Sequence, residues 1–378
     1  MMVPSLTVAI VNMIMSQPLF QPESQNLSRV EYSSLIQQAN QTSAVPSTER
    51  PVPDPIQEVS ILPENQTWTP DCRHENHAGQ IYESYDVVQP LDEYFTLGDV
   101  ASNVCEYRSD VSGSDHFPHA LQQVLFCHSY WESNHVKDRV LYVPPNKKRN
   151  VFAMEYTRGL FDVLQKEWNV QINTTVDPSI PTALVNHTKK RSRYDFVVQD
   201  LSHGQSFRRG MRRYIEVEEE PQRGSSPVIG IVNRNTSRFM YNVPRLKQLL
   251  GDQFTIREAY FENKNFSEQL RFMSDVDILV SPHGAQMTSL VVLPPCARVL
   301  EVFPVGYLWK NFFGSLAATV GVDLSYIYTG RDIEYAHKAM SHYLKKVRAR
   351  GQNVCPNVDL LYEGVLQHVS EWHRCMGH

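Results

Sequence analysis

Five short apolar runs, each separated from the next by a segment of helical spacing, constrain this chain more than any other feature. The runs lie at 228–232, 254–257, 277–281, 298–303 and 324–328. The segments between them carry apolar residues at the three- and four-residue intervals of a helix, at 243–250, 266–273, 285–293 and 307–320. Strands that alternate with helices predict an α/β fold with a parallel, doubly wound sheet, whose ligands bind at the carboxyl ends of the strands.

Two polar, turn-rich stretches divide the chain. Residues 16–70 are rich in Gln, Ser, Thr, Asn and Pro and predict a stem without a core, while 218–227 predict an interdomain linker. The predicted segments are a hydrophobic start and stem at 1–70, an N-terminal α/β domain at 71–217, the sheet domain at 228–330, and C-terminal helices at 331–378 packing back across the domains.

Weaker patterns fill in the rest of the chain. Within the N-terminal domain, 140–143 and 195–198 are typical of strands and 152–168 of a helix. In the tail, 333–350 and 359–373 predict amphipathic helices.

The net charge is −5, from 36 Lys and Arg against 41 Asp and Glu, so nucleic acid is not an expected partner.

Seven N-x-S/T tripeptides favour a history in the secretory pathway. Their asparagines are Asn26, Asn40, Asn65, Asn173, Asn186, Asn235 and Asn265. The apolar stretch at 3–15 is short for a membrane span and would be an incomplete signal-anchor. We expect a Golgi or endoplasmic reticulum lumenal protein, type II membrane or secreted, with Cys355 and Cys375 as a disulfide pair. The alternative is a cytosolic protein with accidental sequons and reduced thiols.

A candidate anion site follows the third run. After 277–281, His283 and Gly284 lead directly into a helical pattern, so the amides of Gly284 and Ala285 would face outward at a helix N-terminus. Such amides suit a diphosphate, and small residues let it approach the backbone. The alternative is an ordinary structural turn with a capping histidine.

Two arginines and a glutamate lie at the ends of neighbouring runs. Arg234 and Arg238 follow the first run and could neutralise phosphates, although a solvated loop is the simpler interpretation. We expect Asn235 to be unglycosylated, because a glycan there would obstruct the site. Glu301, near the end of the fourth run, could accept the two hydroxyls of a ribose, or it could face solvent.

Together these segments resemble glycosyltransferase family 61. The sequences that carry the resemblance are VIGIVNRNTSRFMYNVPRLKQLL and DILVSPHGAQMTSLVVLPP followed by RVLEVFP, within about 228–328. The family includes plant xylan arabinosyl- and xylosyltransferases and animal N-acetylglucosaminyltransferases that act on EGF domains or O-linked mannose. Its turn usually has a small residue and Leu where this chain has Gln286 and Met287, which alters the pocket wall.

The resemblance implies a GT-B fold, two Rossmann-like domains facing across a cleft. It also implies an inverting, metal-independent transfer from a UDP-sugar to a glycan or glycoprotein hydroxyl. Arg234, and with it Arg238, would bind the diphosphate. His283, Gly284 and Ala285 would complete that site, and Glu301 would hold the ribose.

Inverting transfer also needs a base for the acceptor hydroxyl. The candidates are Glu155, Asp195, Asp200 and His203; Asp200 and His203 are preferred because they follow a predicted strand. A DxD at Asp275 and Asp277 precedes its strand instead of ending it, so no metal is expected. The rival function is a non-catalytic secretory protein that binds nucleotide or glycan through a degenerate site.

Overall fold

The computed structural model describes residues 80–82, 102–109, 113–146, 150–177, 180, 182–184, 195–218, 224–330 and 332–377. The strands are β1 (Gln80–Tyr82), β2 (Val104–Glu106), β3 (Val140–Tyr142), β4 (Gln171–Asn173), β5 (Thr182–Leu184), β6 (Val228–Asn233), β7 (Thr255–Tyr260), β8 (Ile278–Pro282), β9 (Arg298–Phe303) and β10 (Asp323–Tyr328). The helices are α1 (Phe117–Ser133), α2 (Glu155–Trp168), α3 (Leu201–Tyr214), α4 (Val243–Leu250), α5 (Phe266–Ser274), α6 (Asn311–Val320), α7 (Ile333–Met340), α8 (Tyr343–Arg350) and α9 (Val358–Met376). The 3₁₀ segments are Val151–Ala153, Gly251–Gln253 and Ala285–Val292.

The larger sheet has the order β1-β10-β9-β8-β6-β7. All of its neighbours are parallel except β1, which pairs antiparallel with β10. Numbered from β6, the five parallel strands have the order 2-1-3-4-5 of a flavodoxin-like doubly wound sheet. The predicted α/β sheet is therefore confirmed, with each of the five strands within about two residues of its expected position.

The smaller sheet has the order β4-β3-β2-β5 and is parallel throughout. In local numbering this is 3-2-1-4, the order of the first four strands of a Rossmann fold. A Rossmann-like α/β architecture is thus present in both sheets. The arrangement of two domains across a cleft stays a prediction.

Burial explains why the strands of the larger sheet read as continuous apolar runs. Every residue of β8 is buried, as expected for a parallel strand covered on both faces. Close packing also requires a glycine in β6, because a Cβ at Gly230 would lie 2.4 Å from a methyl carbon of Val276. Local caps assist the helices: Asn265 and Glu268 form a capping box at the start of α5.

Two apolar clusters cover the two faces of the larger sheet. One contains Leu141 of β3, Phe207 of α3 and Val299 of β9, so both sheets contribute to it. The other packs Leu361 and Val365 of α9 against β6, β8, β9 and β10. The predicted C-terminal helix therefore forms and covers one face of the larger sheet.

Three predicted elements differ from the structure. Residues 195–198 are not a strand, because Phe196 donates its N–H to Ser315 Oγ of α6 instead of to a ladder. The segment after His283 is a 3₁₀ segment instead of an α-helix. The single tail helix predicted over 333–350 is divided into α7 and α8 between Met340 and Tyr343.

The predicted disulfide between Cys355 and Cys375 is wrong. Cys375 of α9 pairs with Cys296, just before β9, and Cys105 of β2 pairs with Cys127 of α1. Cys355 is disulfide-bonded as well. The bonds join helices to strands, which holds α1 and α9 in place.

Several predictions concern residues outside the described part of the chain. These are the stem and apolar start at 1–70 and the sequons at Asn26, Asn40, Asn65 and Asn186. Among the described helices, not one combines the length and the apolar character needed to cross a bilayer.

The docking of α9 gives a testable dependence of stability on pH. A contact with His368, followed by Gln367 and the charge of Arg298, lowers the pKa of Glu371 from 4.5 to about 2. Because the folded-state pKa lies below the unfolded one, the stabilisation is complete above pH 4.5 and is lost as the pH falls toward 2. We expect Glu371→Gln to reduce the loss of unfolding free energy over that range, measured by urea unfolding. Glu363→Gln, an exposed site on the same helix, is the control; an equal change in both variants would contradict the assignment.

Candidate functional site

The topology places the candidate residues at one edge of the larger sheet. From β6 the chain crosses to β7 on one side, and from β8 to β9 on the other, although β6 and β8 are neighbours. A crevice opens at such a switch point, outside the carboxyl ends of the strands. Arg234 follows β6 and His283 follows β8. Arg234 and His283 therefore lie at the carboxyl edge of the sheet, where the sequence analysis predicted the ligand site.

A buried histidine–carboxyl pair lies at the base of this edge. His283 Nδ1 is 2.6 Å from Glu301 Oε1, and the two residues are 5% and 0% exposed. The His283 ring also stacks on Phe303 at 4.9 Å between centroids and contacts Phe313. These contacts fix the orientation of the imidazole.

Burial favours the uncharged form of each member of the pair. It raises the pKa of Glu301 well above 4.5, and Glu301 Oε2 has no hydrogen-bond partner among the described residues. Burial, followed by the charges of Arg238, Arg350 and Arg234, holds the pKa of His283 well below 6.5. When Glu301 is protonated it donates to Nδ1, and the hydrogen of the neutral ring is then on Nε2.

Three arginines surround this pair. Arg234 Nη1 donates to Gln286 Oε1 at 3.3 Å, and its Nε lies 3.6 Å from Glu262 Oε1. Arg238 Nη1 donates to the carbonyl of His283 at 3.2 Å. Burial and the charges of Arg234 and Arg350 lower the pKa of Arg238 to about 10. Arg234 and Arg238 are therefore partly desolvated cations, which favours an anion.

Arg350 is the site residue that the sequence interpretation missed. It is the last residue of α8 and is exposed, yet its charge acts on both His283 and Arg238. The available signal was the basic character of the predicted tail helix. Nothing in the sequence joined that helix to the edge of the sheet.

A side chain in the turn between His283 and the 3₁₀ segment would displace the ends of the Gln286 and Arg234 side chains. A Cβ at Gly284 would lie 2.3 Å from Gln286 Oε1 and 2.9 Å from Arg234 Nη1. Gln286 closes the turn by donating from Nε2 to the carbonyl of Pro282 at 2.6 Å. Gln286, where this chain departs from the family pattern, therefore holds Arg234. Ala285 begins the 3₁₀ segment and lines the adjoining cavity.

A cavity of about 200 Å³ opens beside Arg234, which lines it, whereas His283, Arg238 and Arg350 lie outside its lining. One wall comes from the larger sheet and includes Asn233, Arg234 and Gln286. The facing wall comes from the start of α1, where Asp115 and His116 lie. The cavity is therefore shared between the larger sheet and the helix that follows β2.

The structure gives Glu301 a contact different from the expected one. Its carboxyl lies behind His283 with no exposed surface, so it orients the imidazole. Contact with a ribose stays a prediction that this conformation does not support.

The structure does not bring Asp200 and His203 to the cavity. Asp200 caps α3 by accepting from the amide of Ser202, and His203 Nδ1 lies 3.1 Å from Ser129 Oγ. Ser129 is roughly 18 Å along the α1 axis from Phe117, which lines the cavity. Asp200 and His203 are therefore not carried forward as the base.

The other two candidates for the base also lie outside the cavity. Glu155 Oε1 accepts from the amide of Phe266 at the start of α5. Asp195 lies in the irregular segment that packs on α6, and its carbonyl accepts from Gln122 Nε2. Neither residue lines the cavity.

The DxD residues lie at the opposite edge of the sheet. Asp277 immediately precedes β8 and accepts from the amide of Val228, while Asp275 pairs with Arg257. Among the described residues there is no group of three or more His, Cys, Asp or Glu side chains placed to hold a metal ion.

Comparisons with known proteins concern this same region. A family model described as Glycosyltransferase 61 matches residues 117–300. Protein O-linked-mannose beta-1,4-N-acetylglucosaminyltransferase 2 of Takifugu rubripes is 30% identical over 112 residues, covering 29% of this chain and 19% of that protein. Proteins of the same name are 34% identical over 98 residues in Danio rerio, covering 25% and 17%, and 28% identical over 125 residues in Canis lupus familiaris, covering 32% and 22%. The matched part of the chain spans about a fifth of each of these curated relatives.

Proposed function

We propose that this chain, whose residues 117–300 match the Glycosyltransferase 61 family model, is a glycosyltransferase that transfers a sugar from a UDP-sugar to a hydroxyl group of a glycan or glycoprotein. The observation that carries the proposal is the convergence of Arg234, Arg238 and Arg350 around His283 at the β6–β8 switch point. Partly desolvated cations at such an edge favour a diphosphate.

The roles of the donor-site residues follow from their contacts. The arginines bind the diphosphate oxygens, and His283 donates its Nε2–H to one of them. Gly284 and Ala285 let the diphosphate approach the backbone where Arg234 is held by Gln286. The positive charge is supplied by side chains, so we propose a transfer that requires no metal.

The reaction is a single displacement with inversion. The acceptor oxygen forms a bond to the anomeric carbon and gives its proton to a base. The bond from that carbon to the β-phosphate oxygen breaks, and its electron pair leaves with UDP. Arg234, Arg238 and Arg350 stabilise the negative charge that develops on the leaving group.

The strand orders support the GT-B part of the proposal. Both sheets are parallel, with orders typical of nucleotide-binding folds. The cavity lies between an element of each sheet, where a GT-B enzyme would bind its substrates.

We also propose a lumenal setting. Among the described sequon asparagines other than Asn235, Asn265 is exposed and Asn173 is partly exposed, and the disulfides are of the kind that persist in an oxidising compartment. Digestion of the natural protein with an N-glycan-removing enzyme tests this; an unchanged gel position would contradict it.

Glu301 acts on the donor through His283. If the Glu301 carboxyl is protonated, the amide of Glu301→Gln can still donate to His283 Nδ1, so this variant should change UDP affinity by less than about threefold. Glu301→Ala loses the contact and should weaken UDP binding about tenfold. Calorimetric titration of UDP into both variants measures the difference. Equal losses in the two variants would show that the ionised carboxylate is required.

Turnover of the donor tests the function itself. The relatives are named for transfer of N-acetylglucosamine, so UDP-N-acetylglucosamine is the first donor to test, followed by other UDP-sugars. We expect the full chain to release UDP, and nuclear magnetic resonance of the first-formed sugar product to show an inverted anomeric centre. UDP binding without release of sugar from any donor would favour the non-catalytic alternative.

A further inference from the structure

A histidine on the facing wall of the cavity has no role in the donor site. His116 is the N-cap residue of α1, but its side chain does not cap the helix. It lines the cavity opposite Arg234 and Gln286, and its side chain is exposed. No hydrogen bond to its ring is made by the described residues. Its imidazole is therefore accessible to a molecule in the cavity.

The surroundings of His116 keep its ring neutral. His119 and Asp115 face it from its own element, Arg238 from the loop after β6, and Arg350 from α8. The ring sits in a concave wall, where water reaches it although protein atoms surround much of it. This partial burial, followed by the charge of His119, lowers the pKa of His116 below 6.5, with Asp115 acting in the opposite direction. A neutral imidazole has a lone pair that can accept a proton.

The carboxylate of Glu262 is less suited to that task. Glu262 Oε1 already accepts from the amide of Asn235 at 3.0 Å and lies 3.6 Å from Arg234 Nε. Asp115 lines the cavity beside His116, and the Asp115→Asn variant below distinguishes the two groups. His116 is thus the basic group on the facing wall with an uncommitted side chain.

We propose that His116 is the general base that removes the proton from the acceptor hydroxyl. This inference rests on the proposed transfer reaction. The acceptor oxygen bonds to the anomeric carbon as its proton moves to a ring nitrogen of His116, while the electron pair of the broken bond leaves with UDP. The arginines stabilise the leaving group, and His116, which lines the same cavity as Arg234, activates the nucleophile.

Donor hydrolysis tests the assignment without a known acceptor, because water can take the place of the hydroxyl. UDP release from UDP-N-acetylglucosamine is measured in the full chain and in His116→Gln and His116→Ala. We expect turnover to fall about 10²–10⁴-fold, with UDP affinity within about threefold of wild type. His337→Gln, an exposed histidine on α7, is the matched control and retains wild-type turnover.

The pH profile separates a base from a structural residue. We expect kcat of the wild type to fall at acid pH as His116 becomes protonated, and this decrease to be absent from the residual activity of His116→Gln.

Three results would overturn the assignment: a loss of UDP affinity as large as the loss of turnover, an unchanged acid limb in His116→Gln, or full activity in His116→Gln with loss in Asp115→Asn. A wild type that binds UDP but never hydrolyses a donor would refute the transfer reaction together with its base. A wild type that binds no UDP would refute the donor site itself.

Discussion

Replacing Arg238 with alanine is expected to weaken UDP binding about 10- to 100-fold. A hydrogen bond to a charged group contributes about 1.5–3 kcal/mol, and every 1.4 kcal/mol is tenfold in affinity. Arg238 is held by the carbonyl of His283 and lies among other cations, so its charge is already directed to the site. Calorimetric titration with UDP measures the change.

Two further variants make this result specific. Arg238→Lys keeps the charge but loses the paired donors of the guanidinium, so its affinity should fall between wild type and alanine. Arg245→Ala on α4, where the side chain contacts Gln248, is the matched control and should bind like wild type. Wild-type affinity in Arg238→Ala would remove this residue from the donor site.

The largest effect on stability is expected at Arg212 of α3. This side chain is 1% exposed and donates to the carbonyls of Glu218, Ser274 and Val292, the last at 2.6 Å. It thus joins α3 to the end of α5 and to the 3₁₀ segment that follows the site. Arg212→Met leaves these carbonyls without the donor, and we expect the free energy of unfolding to fall by about 3–5 kcal/mol.

The adjacent arginine supplies the control. Arg213 is exposed and pairs with Glu167 on the surface, so Arg213→Met should cost less than about 1 kcal/mol. Urea unfolding of both variants gives the comparison. Similar losses at the two positions would contradict the view that the buried guanidinium joins these elements.

The sequence predicts the larger sheet better than the smaller one for a physical reason. Strands β6, β8, β9 and β10 have five or six residues and are mostly buried, so each is a readable apolar run. Strands β2 to β5 have three residues each, too few for a period to be evident. The apolar run at 195–198 predicts a strand that does not form, because the N–H of Phe196 is bonded to the Ser315 hydroxyl instead of to a neighbouring strand.

The same distinction applies to the site. Arg234 and His283 follow readable strands, so their meeting at one edge could be predicted from topology alone. Arg350 and His116 come from helices whose positions depend on long-range packing. The pairing of Glu301 with His283 required the register of β8 and β9, which local sequence does not contain.

The most direct test of the donor site is calorimetric titration of UDP into the full chain, in EDTA and again with Mn²⁺. We expect one UDP per chain, micromolar affinity, and the same affinity in both buffers. Binding should be lost in an Arg234→Ala/His283→Ala double variant that unfolds at the wild-type temperature. Absence of binding to the folded wild type, or binding only with Mn²⁺, would contradict a donor site formed by the arginines and His283.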